Sequence, residues 1–400
     1  MIGRERELLA MKHIEPDRVP VQCQLTMGHF MVNTPYEPHE IWFDTEIFAD
    51  ALVTMARRYN FDGFLVLLGP GRPKNYLEEN VVSRKNEEDG YWLTWKNGDR
   101  TWFVWDDFPH HFPKDETKPQ RADFKTFDPD KDMDYVDDYL GYLWNIRHHV
   151  FELPGKGHKG LITRLDGYPD YYSRMWDILK TKNIDDLALH ASIYSPLTHY
   201  FELFGYEQAL MGFIMDPMKA HAILDRFVDH VITWSLKQIS WGACAVDHSS
   251  AFVGSSFISR AMYKEYVVPY ERRVNEAIKN TGCVVYTHTC GSIMDRLDLL
   301  VETGTQGIDT LDPPPLGDGD LAVAKRDFGD KLFFKGNMDS VALLELKSEA
   351  EVEQMVRQTI EIGKQGAGFI LDAACAIAPH VEPWKMEMLV PLAEKYGSYK

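Results

Sequence analysis

A chain of 400 residues with 44% hydrophobic and 26% charged content sits in the ordinary globular range and is long enough to bury a large core without disulfide staples. Its formal net charge of -18 repels phosphate backbones and argues against nucleic acid as a partner. No apolar run is long enough for a bilayer, the opening Met1-Ile2-Gly3-Arg4-Glu5-Arg6-Glu7 is too charged for a signal peptide, and Cys23, Cys244, Cys283, Cys290 and Cys375 form no disulfide framework, so a reducing, cytoplasmic setting is expected.

Residues 4 to 13 read as a short amphipathic helix stopped by Pro16, and residues 19 to 23 as an extended strand entering the core. The apolar run from Phe61 to Leu68, ended by Gly69-Pro70-Gly71, is a buried strand. Residues 72 to 130 turn polar and aromatic. Here two aromatic-rich runs, 90 to 95 and 101 to 105, flank Asn97-Gly98, a hairpin signal. This segment reads as an insertion, either a lid over a site or a hairpin packed on the surface. Residues 130 to 240 read as mainly helical, with a strand at 160 to 166 and a long helix opened by Asp216-Pro217.

The last 160 or so residues alternate strand and helix, with strands expected at 243 to 247, 283 to 287, 307 to 311, 332 to 336 and 368 to 372. Such alternation means parallel strands joined by crossover helices. Residues 1 to 400 are accordingly expected to form one α/β barrel domain, with 72 to 130 inserted in it.

Three donors fall at telling places. His288 and Cys290 directly follow one strand, and Cys375 follows just after another. Strand ends of a barrel face the site formed by the βα loops, so all three are expected at one rim. A spacing of two in extended chain points His288 and Cys290 to the same side. Two thiolates and one imidazole suit zinc, and three protein ligands leave one corner of a tetrahedron open, as in catalytic sites. The alternative for a His-x-Cys pair is a buried thiol beside an unrelated histidine. Further polar residues at strand ends are Asp166, Asp247, His248, Asp309, Asp312, Asn337, Asp339 and Asp372; some would orient His288, and Asp247, His248 and Asn337 are candidates for substrate contact. For any one of them, helix capping is the alternative role.

Several stretches carry a family resemblance. Arg4-Glu5-Arg6 with Glu15-Pro16-Asp17-Arg18-Val19-Pro20-Val21, Ile258-Ser259-Arg260 with Tyr266-Val267-Val268-Pro269-Tyr270, and Lys335-Gly336-Asn337-Met338-Asp339 resemble the uroporphyrinogen decarboxylase superfamily, over most of the chain except roughly 72 to 130. The resemblance implies a (β/α)8 TIM barrel of the uroporphyrinogen decarboxylase type, here with an inserted aromatic β-hairpin region. Its decarboxylase branch has an aspartate after an early strand and an arginine-rich N-terminal segment. Here Phe64 to Gly69 has no acidic residue and Gln22 to His29 no arginine.

The other branch, the zinc-dependent methyltransferases of corrinoid-dependent methyl transfer, carries His-x-Cys and a distant Cys, which match His288, Cys290 and Cys375. That similarity implies Zn2+ on those residues and methyl transfer between a small substrate and the cobalt of a cobalamin-type corrinoid. The chain has no Asp-x-His-x-x-Gly motif, so a separate corrinoid protein would have to be the partner. A methyl ether such as a methoxylated aromatic is the favoured substrate, because the aromatic insertion offers a pocket for a ring. A methylcobamide:thiol (coenzyme M-like) methyltransferase is the alternative. A uroporphyrinogen decarboxylase-like lyase, a hydrolase or lyase using the same zinc, and a zinc-storage protein are rivals of other classes. A homodimer is compatible with the sequence.

Overall fold

Val, Ile, Phe and Ala runs too short for helices make the strands at the centre of the molecule, and amphipathic stretches between them make the surrounding helices. The computed structural model describes residues 1–67, 74–112, 114, 121–133, 161–168 and 170–399. In chain order the strands are β1 (Gly63–Val66), a group of β2 (Val81–Glu87), β3 (Gly90–Trp95), β4 (Arg100–Val104) and β5 (His110–Phe112), and then β6 (Ala188–Tyr194), β7 (Ala245–Ser249), β8 (Val284–His288), β9 (Gly307–Thr310), β10 (Phe333–Met338) and β11 (Phe369–Ala373).

Strands β1, β6, β7, β8, β9, β10 and β11 pair in that order, all parallel. The remaining gap is closed by the extended segment at 19 to 25. Leu371 N donates to Pro20 O and Gln22 N to Leu371 O on one side, and Asp62 N donates to Val21 O on the other. With this eighth position filled, the sheet curls into an α/β barrel. Pro20 accepts but cannot donate, which suits a short closing segment. The first helix, Gly3–Ala10, packs against β1, β6 and β11 at the opposite end from the βα loops, and Ala10 and Met11 join Val284, Tyr286 and Phe333 in a core cluster there.

Helices Pro217–Trp241, Val268–Lys279, Leu297–Glu302, Leu321–Phe328 and Glu349–Gly363 supply successive crossovers. Asp216 caps the first of these through Lys219 N, and Ser348 with Glu351 forms a capping box on the last. Among the described residues no helix is long and apolar enough to cross a membrane.

The aromatic insertion forms a second sheet, antiparallel in the order β2-β3-β4-β5, with the expected hairpin between β3 and β4 and Gly98 in the left-handed region at φ 92°. One face buries Tyr91, Leu93, Trp95 and Phe103, with Phe43 edge-on to Trp95 and Phe103. The other face carries Trp92, Trp102 and Phe112 in a tilted ladder.

Two expectations need correction. The segment at 160 to 166 is no strand where described: it runs into a 3-10 turn, Leu165–Gly167, with Leu165 exposed. The barrel strand is β6 instead. It was hidden because His190 and Ser192 interrupt its apolar pattern, and His190 is nevertheless wholly buried in the barrel. The residues from 134 to 160, part of the stretch read as helical, lie outside the described residues, as do Gly69-Pro70-Gly71.

Candidate metal centre

Strand β8 delivers His288 as its last residue, and the chain leaves it through Thr289 to Cys290. Gly291 then turns the backbone at φ 76°, a left-handed conformation that favours glycine. The turn is held from below, since Gly291 N donates to Asp312 Oδ2 at 2.6 Å and Thr310 Oγ1 donates to Thr289 O. From the neighbouring loop, Gly254 approaches so closely that a Cβ there would lie 2.8 Å from Cys290 O. Cys375 arrives two residues beyond the end of β11, with Ala374 N bonded to Met338 O at 2.6 Å.

These elements bring His288, Cys290 and Cys375 together, with one ligand atom from each within 4.8 Å of the others. Cys290 Sγ lies 3.6 Å from His288 Nε2. Two soft sulfurs and one imidazole nitrogen converging from separate strand ends are a donor set that fits a zinc-like ion. Cys23, by contrast, is a buried core thiol, and Cys244 and Cys283 sit at the opposite ends of β7 and β8.

Behind the donors lies a buried polar network. Asp309 Oδ2 accepts from His288 Nδ1 at 3.0 Å, which leaves Nε2 as the free nitrogen facing the thiols. The other Asp309 oxygen accepts from Lys335 Nζ at 3.1 Å, and Lys335 also donates to Asp372. Burial alone would push the His288 imidazole down, but the hydrogen bond and charge of Asp309 outweigh it and hold the pKa up at about 10. A hydrogen bond from Cys290 lowers the Cys375 thiol to about 7 against the opposing effect of burial, while that same contact and burial push Cys290 up. Asp247 Oδ1 and Asp312 Oδ1 are buried with no hydrogen-bond partner among the described residues, and burial raises Asp247 to about 7.

The remaining strand-end residues divide. Asp247 shares a cluster with His288 and Asp309, their ligand atoms within 4.8 Å of one another. His248 does not join it. Strand neighbours point to opposite faces, and His248 Nδ1 donates outward to Asn275 Oδ1 at 2.8 Å on the helix Val268–Lys279. Asn337 Nδ2 donates to Leu311 O at 3.1 Å and lines a groove of about 710 Å3 with Pro313, Asp318 and Asp339. Asp339 caps the helix Ser340–Glu345, and Asp166 makes an exposed pair with Arg164. Lys335, directly after the apolar run Leu332-Phe333-Phe334, was not among the expected site residues, because its carboxylate partners lie 26 and 37 residues away.

Comparison with known proteins bears on this site. A family model described as uroporphyrinogen decarboxylase (URO-D) matches residues 163–396. A uroporphyrinogen decarboxylase from Pelodictyon phaeoclathratiforme is 24% identical over 196 residues, 48% of this chain and 53% of that protein. A methylated-thiol--coenzyme M methyltransferase from Methanosarcina mazei is 28% identical over 204 residues, 50% of this chain and 52% of that protein. The chain thus spans about half the length of these curated relatives. Among solved structures, a methyltransferase from Methanosarcina mazei superposes with a TM-score of 0.68 over 99% of both chains at 15% identity, which establishes the shared barrel fold. A B12-independent methionine synthase from Shewanella sp. W3-18-1 reaches a TM-score of 0.51 over 94% of this chain and 97% of its own at 11% identity. Because the family model matches more than half of its length, the chain belongs to the uroporphyrinogen decarboxylase family.

Proposed function

We propose that the protein is a zinc-dependent methyltransferase, moving a methyl group between a small substrate and the cobalt of a corrinoid carried by a separate protein. The observation that carries this reading is the convergence of His288, Cys290 and Cys375 at one rim of the barrel. A decarboxylase of this fold has no evident use for two thiols and an imidazole within 4.8 Å of one another.

The chain's own residues have definable tasks. Asp309 fixes the His288 tautomer and aims Nε2 at the shared centre. Asp312 anchors the turn after Cys290 through Gly291 N. His288 is buried, and Cys290 and Cys375 are each partly covered, so bulk water has limited access to the donors. When bound, zinc would supply a Lewis acid with one open position for a substrate sulfur or oxygen. Asp247, buried with one unpartnered oxygen beside this cluster, is the nearest candidate for substrate contact.

Between the two substrates considered, a thiol or methylated thiol is favoured. The pocket argument for a methoxylated aromatic weakens, because Tyr91, Trp95 and Phe103 are spent on packing the insertion against Phe43 and its neighbours. The name of the Methanosarcina mazei relative also specifies a methylated thiol. The test is methyl transfer with cob(I)alamin and methylcobalamin against a panel of thiols, thioethers and methyl ethers, with zinc quantified alongside. Turnover of a thiol or thioether that is lost on zinc removal supports the reading. Turnover of methyl ethers alone would restore the ether assignment, and conversion of uroporphyrinogen without metal would overturn both.

A further inference from the structure

Lys335 stands in the middle of β10 with only 3% of its surface exposed. A lysine in that setting is costly unless its charge is matched. Two carboxylates from the flanking strands match it: Asp309 Oδ1 of β9 at 3.1 Å and Asp372 of β11. Each carboxylate leads on to a metal donor. Asp309 turns its second oxygen to His288 Nδ1 at 3.0 Å, and Asp372, whose Oδ1 accepts Ala373 N at 2.6 Å, lies three residues before Cys375. A single ammonium therefore ties together the strand behind the imidazole and the strand behind the distant thiol. Phe333, two residues before it on the same face of β10, is wholly buried, so that face accommodates apolar side chains and packing alone does not call for a charge.

We propose that Lys335 is a positioning residue for the metal site: by clamping Asp309 and Asp372 it fixes both the His288 ring and the spacing between the His288–Cys290 arm and the Cys375 arm. The inference rests on the zinc reading above. Removing the ammonium leaves two carboxylates facing one another in the barrel, free to swing, and the imidazole loses a rigid anchor while every ligand remains in place.

The test compares wild type with Lys335→Met, and with Lys335→Met combined with Asp372→Asn, which removes the uncompensated charge should the single variant not fold. Far-UV circular dichroism and a thermal melt establish that the barrel is intact. Zinc affinity is then measured by competition with a chromophoric chelator, and ligand geometry by the visible spectrum of the Co2+-substituted protein. The expected result is a loss of zinc affinity of a few-fold to about tenfold, because Lys335 acts one step behind the partner of His288, with shifted Co2+ bands. A folded variant with wild-type zinc affinity and an unchanged Co2+ spectrum would overturn the proposal, even if its melting temperature had dropped, because that outcome marks a purely structural lysine. Wild type that takes up no zinc would instead refute the metal reading itself.

Discussion

Among the described residues, the barrel interior holds two buried histidine–carboxylate pairs that look alike and differ in what faces the second nitrogen. Toward the end covered by the first helix, His190 Nε2 lies 2.9 Å from Glu7 Oε2, and its Nδ1 lies 2.9 Å from the Tyr286 hydroxyl. At the loop end, His288 Nδ1 bonds to Asp309 at 3.0 Å, but its Nε2 faces Cys290 Sγ at 3.6 Å, with Cys375 in the same cluster. Both nitrogens of His190 thus face polar groups of the fold, whereas His288 is held by one nitrogen and turns the other to the thiols. A buried histidine is therefore not by itself a site. Soft donors converging on its second nitrogen make one.

The contrast can be broken by mutation. Cys290→Ser and Cys375→Ser are each expected to abolish zinc binding and methyl transfer while circular dichroism stays that of the folded barrel; full zinc by elemental analysis in both variants would refute the ligand assignment. His190→Leu should do the opposite. It takes one polar neighbour from Glu7, whose carboxyl burial pushes well above its ordinary range, and is expected to cost about 2 kcal/mol in denaturant unfolding, with zinc stoichiometry unchanged in the folded protein. If His190→Leu removed the metal, the division between the two pairs would fail.

Smaller effects sharpen the same division. Asp309→Asn keeps an acceptor for His288 but loses the charge, and should weaken zinc affinity roughly tenfold, read by chelator competition. A third class of histidines, His29, His230 and His248, lies away from the donors, and burial lowers each to about 4. Their unfolded value is near 6.5, so between those limits the unfolded chain binds more protons than the folded one. Their contribution is complete above about pH 6.5 and is lost as pH falls toward 4, at about 1.4 kcal/mol per pH unit for each such group. Comparing His230→Asn with wild type by urea unfolding at pH 7.5 and pH 5 isolates one such group: the variant's deficit should shrink at pH 5, and an equal deficit at both would contradict the sign. The smallest change is Asp339→Ala, which removes a helix cap and should cost about 1 kcal/mol without touching zinc, by the same two measurements.

What was legible in the sequence follows from how the information is written. The late strands and their helices alternate with clear periods, so β7 to β11 and the placement of His288, Cys290 and Cys375 at strand ends could be read directly. Strand β6 could not, because inward-facing polar residues such as His190 break the hydrophobic signal on which strand recognition relies. Which side of β7 faces the centre was likewise hidden: Asp247 and His248 are adjacent, and only the register of the sheet sends one inward and the other toward Asn275. The aromatic run at 90 to 105 announced a hairpin correctly, but not that half of its rings would be consumed in packing. Long-range pairing also concealed Lys335, whose partners lie 26 and 37 residues away.

The most direct test of the central claim is the zinc K-edge X-ray absorption spectrum of the purified protein, recorded beside Cys375→Ser. The account predicts a first shell with two sulfurs at about 2.3 Å and an imidazole nitrogen at about 2.0–2.1 Å in wild type, with sulfur scattering reduced or the metal absent in the variant. A shell of nitrogen and oxygen alone, or a spectrum unaltered by the substitution, would contradict it.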